Sequence, residues 1–362
     1  MERVRIGIIG TSWWADMVHL PSLASHDRAD LVAICGRNQE RAREMAAKYG
    51  VAETYADYRQ MIAEAGLDAI VIVTPDDLHY SMVMVTLAKG LHVMCEKPLA
   101  LNVAQTAEML ARAEEAGVTH IVYYTSRWLP HHRYFRRLIA DGTIGRCLYF
   151  GFRSLRSGNL SSDRSYRWRD DRARACGVLG DLGSHMIDLC RYCIDEIRTV
   201  SASLAVHVPF VDPDHPAEPA NDSALLTIET RRGAQGTIHV SRVAALSQAV
   251  QALTVHGEQG VLELCQTMES GVQITWTRPG EPRSEISLPD ELARQFDGNR
   301  PFPAQIRQGL TEQSVGDRLF IDSILEGTGA QPSFYDGHKT QQVIDAAVES
   351  AGTGRRVSLA DA

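Results

Sequence analysis

The sequence has 362 residues, 44% hydrophobic and 23% charged, the balance of a globular chain too long for one ordinary core, so two domains are expected. A formal charge of -8 without a long basic run excludes a phosphate-tracking nucleic-acid groove, and no stretch approaches the roughly 20 apolar residues of a membrane span. Met1-Glu2-Arg3-Val4-Arg5 leads straight into a strand pattern rather than a cleavable leader, and the seven cysteines are too scattered for a disulfide framework, so a cytoplasmic protein acting on a small molecule is expected.

In chain order, β-rich runs at Val4 to Ile9, Leu31 to Cys35, Ala69 to Val73, His92 to Cys95 and His120 to Tyr124 alternate with amphipathic stretches at 39–49, 58–65, 81–89 and 103–116. Gly50, Gly66, Gly90 and Gly117 close those stretches as helix stops. Alternation of this kind predicts an α/β chain opening on a doubly wound parallel sheet of the Rossmann type over 1–122. From about Cys147 the strands follow one another without crossover helices: 148–155, 199–208, 224–230, 236–243, 251–256, 261–264 and 272–276. They predict an α+β domain over 123–362 with a large, mostly antiparallel open sheet, two helical tails at 303–325 and 339–350, and a short last strand near 355–359. The Pro-rich stretch 209–219 reads as a loop, and Cys190-x-x-Cys193 as buried thiols inside a helix, with no second pair to complete a metal site.

Four places carry chemistry. Gly10, Thr11, Ser12, Trp13 and Trp14 follow the first strand and open a helix, where a dinucleotide pyrophosphate meets backbone N–H groups. Only Gly10 of the three glycine positions is a glycine, the others being Ser12 and Ala15. After the second strand stand Arg37 and Asn38 in place of the acidic residue that binds a ribose 2′-hydroxyl, so a 2′-phosphate and NADP are preferred. Arg37 starting the next helix and stacking on adenine would leave NAD equally possible. Glu96-Lys97-Pro98 lies at the carboxyl edge of the sheet, where an ammonium can hold a substrate hydroxyl and steady developing oxyanion charge; a solvated lysine is the plain alternative. In Gly180-Asp181-Leu182-Gly183-Ser184-His185, Asp181 and His185 are one helical turn apart, a spacing for a proton-accepting histidine and its carboxylate. A core histidine beside a capping Asp fits these two residues as well.

These segments, with Thr74-Pro75-Asp76-Asp77-Leu78-His79 and the later Asp336-Gly337-His338, together resemble the glucose-fructose oxidoreductase, inositol dehydrogenase and MocA family over nearly the whole chain. The resemblance implies reversible oxidation of a ring hydroxyl on a sugar or cyclic polyol with NADP or NAD and no metal, in a homodimer or homotetramer joined through the open sheet. It makes Lys97 the catalytic lysine, His185 the proton acceptor, Asp181 its partner, and Thr74, Pro75, His79 and Glu96 part of the cofactor site. Asp76 stands where the family often has Asn. The resemblance also brings Arg127, Tyr166, Arg167, Trp168 and Arg169 towards the substrate, although packing roles suit each equally. Two rival readings share the fold: a glycosidase that oxidises and re-reduces its sugar within one cycle, and a cofactor-sensing regulator without turnover.

Overall fold

Six short runs, β1 (Val4–Ile9), β2 (Ala29–Cys35), β3 (Glu53–Tyr55), β4 (Ala69–Ile72), β5 (His92–Cys95) and β6 (His120–Val122), form one all-parallel sheet in the order β3-β2-β1-β4-β5-β6. The computed structural model describes residues 2–161, 167–209, 218–295 and 300–360. Successive side chains of these strands enter opposite cores. Ile6, Ile8, Val71 and Met94 pack on one face, whereas Ile9, Ile70, Ile72 and Val93 pack on the other. Burial on both faces explains why β4, and β1 from Ile6 to Ile9, are continuously apolar rather than alternating, and each fully buried aliphatic side chain contributes roughly 1.5–3 kcal/mol. The strand order reverses between β1 and β4, and at such a switch point the carboxyl ends of the strands open a crevice.

The chain divides into two compact units, Met1–Trp128 with Ala304–His338, and Leu129–Pro303 with Lys339–Ala362. The late segment reaches the first core through Leu310, Phe320 and Ile321. Where one helix over 303–325 is expected, two form, Phe302–Glu312 and Asp317–Glu326. Gly316 separates them with φ +54°, and a Cβ there would fall 2.7 Å from the Tyr123 hydroxyl. The close approach of Tyr123 therefore requires a glycine at the break.

Among the described residues the second unit holds nine strands, β7 (Cys147–Leu155), β8 (Ile197–Ala205), β9 (Ser223–Thr230), β10 (Gln235–Ser241), β11 (Val250–Gly257), β12 (Gly260–Thr267), β13 (Gly271–Thr277), β14 (Ser284–Glu285) and β15 (Val357–Ser358). Their order is β14-β13-β12-β11-β7-β10-β9-β8-β15. All neighbouring pairs are antiparallel except β7 and β10. One face of the sheet buries Phe150, Phe152, Leu226 and Leu253 with Met186 and Leu189 of the helix Ser184–Cys193. Leu148, Tyr149 and Leu225 are exposed. Cys190 and Cys193 are buried thiols in that helix. Among the described residues no helix is long and apolar enough to cross a membrane.

Candidate active site

In the first unit, β1 is followed by Gly10 with φ +123°, where a Cβ would lie 2.1 Å from the Val73 carbonyl oxygen. No side chain fits there, so the loop lies directly on the end of β4. Ser12, in a position where glycine is usual, accepts a hydrogen bond on Oγ from Ala15 N–H at 3.2 Å. It caps a helix that begins at Trp13, passes through a single π-helical turn, Ala15–His19, and continues as Leu20–Ala24. Missing Cβ bulk at Gly10 and amides at a helix start suit the pyrophosphate of a dinucleotide. Trp13 is exposed, whereas Trp14 turns inwards and donates from Nε1 to Glu96 Oε1 at 2.7 Å. At the end of β2, Arg37 is exposed. Asn38 instead caps the next helix, accepting the Arg41 N–H at 3.0 Å.

Glu96 and Lys97 follow β5 on the same edge. Glu96 is buried and its Oε2 accepts the Lys97 N–H at 3.1 Å, so the carboxylate fixes the backbone that carries the half-buried lysine. Behind Glu96 lies a histidine with two acidic neighbours: His19 Nε2 is 3.2 Å from Glu96 Oε1, and His19 Nδ1 is 2.8 Å from Asp317 Oδ1. Tyr123 donates to Asp317 Oδ2 at 3.2 Å. Burial opposes a charge on His19, but Asp317 and then Glu96 outweigh it and push its pKa up to about 9. For Glu96, burial opposes ionisation, yet the hydrogen bond and charge of His19 hold the carboxyl below its usual range. His79 is buried with Nδ1 2.9 Å from the Pro98 carbonyl and Nε2 3.0 Å from that of Thr74, tying the loop after β4 to the loop after β5. Thr74 Oγ1 turns to Met82 Sδ at 3.6 Å, and Pro75 precedes the helix Asp76–Ala88. Sequence reading missed His19 and Asp317, which are 298 residues apart.

In the second unit, a single π-helical turn, Leu179–Gly183, runs on into the helix Ser184–Cys193. Asn221 fixes its start: the Asn221 carbonyl accepts Val178 N–H at 2.8 Å and Oδ1 accepts Leu179 N–H at 3.0 Å. Gly177 permits this, since a Cβ there would lie 2.5 Å from the Asn221 carbonyl oxygen. Asp181 and His185 thus sit on one continuous helical segment, Asp181 buried and His185 half-buried. The Asp181 carboxylate, expected beside His185, makes a close ion pair with Arg242 and a longer one, 3.7 Å, with Arg169. Arg169 also stacks on Trp168 at 4.0 Å from the ring centroid. Arg167 is tied to Asp170 and Asn159, and Tyr166 lies outside the described residues.

Arg127 belongs to the first unit and is buried in an ion pair with Asp336 at 2.8 Å, where it braces the segment carrying Asp336-Gly337-His338. Among the described residues no group of three or more His, Cys, Asp or Glu side chains is placed to hold a metal.

Residues 4–124 match the family model described as "Oxidoreductase family, NAD-binding Rossmann fold", and residues 136–359 match "Oxidoreductase family, C-terminal alpha/beta domain". The chain is 27% identical to levoglucosan dehydrogenase of Pseudarthrobacter phenanthrenivorans over 339 residues, 88% of this chain and 86% of that protein. Over 164 residues, 43% of this chain and 50% of the other, it is 34% identical to scyllo-inositol 2-dehydrogenase (NADP(+)) IolU of Bacillus subtilis. A solved structure of levoglucosan dehydrogenase in complex with NADH superposes with a TM-score of 0.84 at 25% identity, covering 99% of this chain and 100% of that one.

Proposed function

We propose, because the chain belongs to the glucose-fructose oxidoreductase, inositol dehydrogenase and MocA family, that it is a nicotinamide-dependent dehydrogenase or reductase of a ring CH–OH group on a sugar or cyclic polyol. The observation that carries this reading is the match of both domains to the family, on a chain that sets Lys97 at the carboxyl edge of a switch-point sheet. Gly10, Thr11 and the capped helix start at Ser12 to Trp14 hold the dinucleotide together with Thr74 and Pro75, whose loop His79 ties in place. When bound, the nicotinamide supplies the hydride acceptor or donor.

Lys97 holds the reacting oxygen through its ammonium and steadies the charge that develops as the C–H bond breaks. His185 accepts the hydroxyl proton on oxidation and returns it on reduction. Asp181 and Arg169 with Trp168 orient the sugar, the carboxylate taking hydroxyl donors and the indole an apolar ring face. Arg37, exposed after β2, reads a 2′-phosphate and favours NADP; the NADP-named relative supports that preference and the NADH complex supports NAD. The exposed face with Leu148, Tyr149 and Leu225 suits a subunit interface in a dimer or tetramer.

The test is a fluorescence titration of the purified protein with NADPH and NADH, followed by a panel of sugars and inositols scored by formation of reduced nicotinamide. Cofactor binding and stoichiometric reduction with at least one ring polyol are expected. Tight cofactor binding without turnover on any member would favour a sensor instead.

A further inference from the structure

Among the described residues, three arginines gather at the turn that carries Asp181. Arg242 and Arg169 both pair with Asp181, and Arg156 feels Arg242 and Asp181 electrostatically while forming no ion pair of its own among the described residues. Among the described residues, two guanidiniums thus pair with the Asp181 carboxylate and a third feels its charge.

Hydrogen bonds hold the backbone that carries two of them. Arg156 and Arg242 follow directly on the carboxyl ends of β7 and β10, a parallel pair in the second sheet, in which Leu155 is opposite Ser241. Beyond the strands, Arg156 N–H donates to the Ser241 carbonyl at 2.8 Å, Ala244 N–H to the Arg156 carbonyl at 3.0 Å, and Asn159 N–H to the Arg242 carbonyl at 2.8 Å. Arg242 N–H donates to the Asp222 carbonyl at 2.9 Å, and Asp222 adjoins Asn221, which fixes the Asp181 turn. Arg156 is open to solvent. The protein around it and then the charge of Arg242 lower its pKa, only partly offset by Asp181. Adjacent like charges on ordered backbone are unfavourable on their own and become favourable when a second anion arrives.

Resting on the dehydrogenase reading above, we infer that the sugar or polyol taken at Asp181 carries an anionic substituent, a carboxylate or phosphate, which Arg156 and Arg242 receive. A planar guanidinium pair grips either group through two parallel N–H donors. Asp181 is left to accept ring hydroxyls, so charge recognition and ring orientation fall to separate groups.

Matched pairs decide it: D-glucuronate against D-glucose, D-galacturonate against D-galactose, and D-glucose 6-phosphate against D-glucose, each measured both by kcat/KM and by calorimetric binding to the cofactor-loaded protein. The anionic member of at least one pair should be favoured tenfold or more in both readouts, the uronates and the phosphate separating the two sources of charge. In Arg156→Met that preference should fall towards one, and in Arg156→Lys, which keeps the charge and loses the planar fork, it should fall part of the way. Far-ultraviolet circular dichroism and the melting temperature establish that both variants fold. Neutral members turned over as well as or better than anionic ones would overturn the inference and leave the dehydrogenase reading standing. Arginine-dependent binding of an anionic sugar without any nicotinamide reduction would keep the anion site and overturn the dehydrogenase reading. Absence of both binding and turnover across all pairs would overturn the anion site.

Discussion

Asp317 Oδ1 lies 2.8 Å from His19 Nδ1 in the interior of the first unit, and the other ring nitrogen faces Glu96 at 3.2 Å. Carboxylates on both sides call for an N–H on both nitrogens, which is an imidazolium. Its pKa is raised above the ordinary value of 6.5 to about 9. The stabilisation is therefore fully present below about pH 6.5 and is lost as pH rises through about 9. Asp317→Asn removes one partner and should cost roughly 3–5 kcal/mol near pH 6.5, the range for breaking a buried ion pair. Near pH 10, where the native histidine is already neutral, the penalty should shrink. Urea unfolding of both proteins at the two pH values measures it, and an equal penalty at both would show that His19 is not charged in the fold.

Lys97 owes its setting to the same network, since Glu96 accepts its backbone N–H at 3.1 Å. Lys97→Met should lower kcat by roughly 10²–10³-fold, the range for loss of one preorganised donor at a developing oxyanion. Cofactor affinity by nicotinamide fluorescence should change little. Near-normal turnover in the variant would remove Lys97 from the chemistry.

Much of the first unit is legible in the sequence, because strands buried on both faces and helices closed by glycine leave strong local patterns. Val4 to Ile9 and His92 to Cys95 match β1 and β5 residue for residue. β3 escapes because it has only three residues, Glu53–Tyr55, none of them fully buried. The need for a glycine at the helix break, Gly316, also escapes, since it comes from the Tyr123 hydroxyl, far away in the chain. The same limit hides the Asp317 partner of His19 and the Arg242 partner of Asp181. Motif spacing reports which residues share a strand end or a helical turn, whereas these ion pairs join segments that only the finished fold brings together.

Arg37 follows Gly36 at the end of β2 and is exposed, as a reader of a ribose 2′-phosphate has to be. A hydrogen bond to a charged group is worth about 1.5–3 kcal/mol, so Arg37→Ala should weaken NADPH roughly tenfold or more while leaving NADH nearly unchanged. Paired fluorescence titrations of the variant and the parent chain give the ratio. Equal weakening of both cofactors would mean that Arg37 contacts the adenine instead, and the NADP preference would fall with it.

Arg127 Nη2 and Asp336 Oδ1 are 2.8 Å apart, with side chains only 7% and 11% exposed, and Asp336 Oδ2 also accepts the Ser333 N–H at 2.9 Å. This burial makes Arg127 a brace for the chain around residue 336, so its loss should register in stability before substrate affinity. Arg127→Met strands Asp336 without this countercharge and should cost roughly 3–5 kcal/mol. Asp336→Asn should cost a comparable amount, and the double variant clearly less than the sum, because each single change already forfeits the shared pair. Urea unfolding of the four proteins gives the coupling. Steady-state kinetics at a temperature where all remain folded then separate the two roles: an unchanged KM for the sugar fits the brace, and a rise in KM with stability intact would return Arg127 to the substrate site.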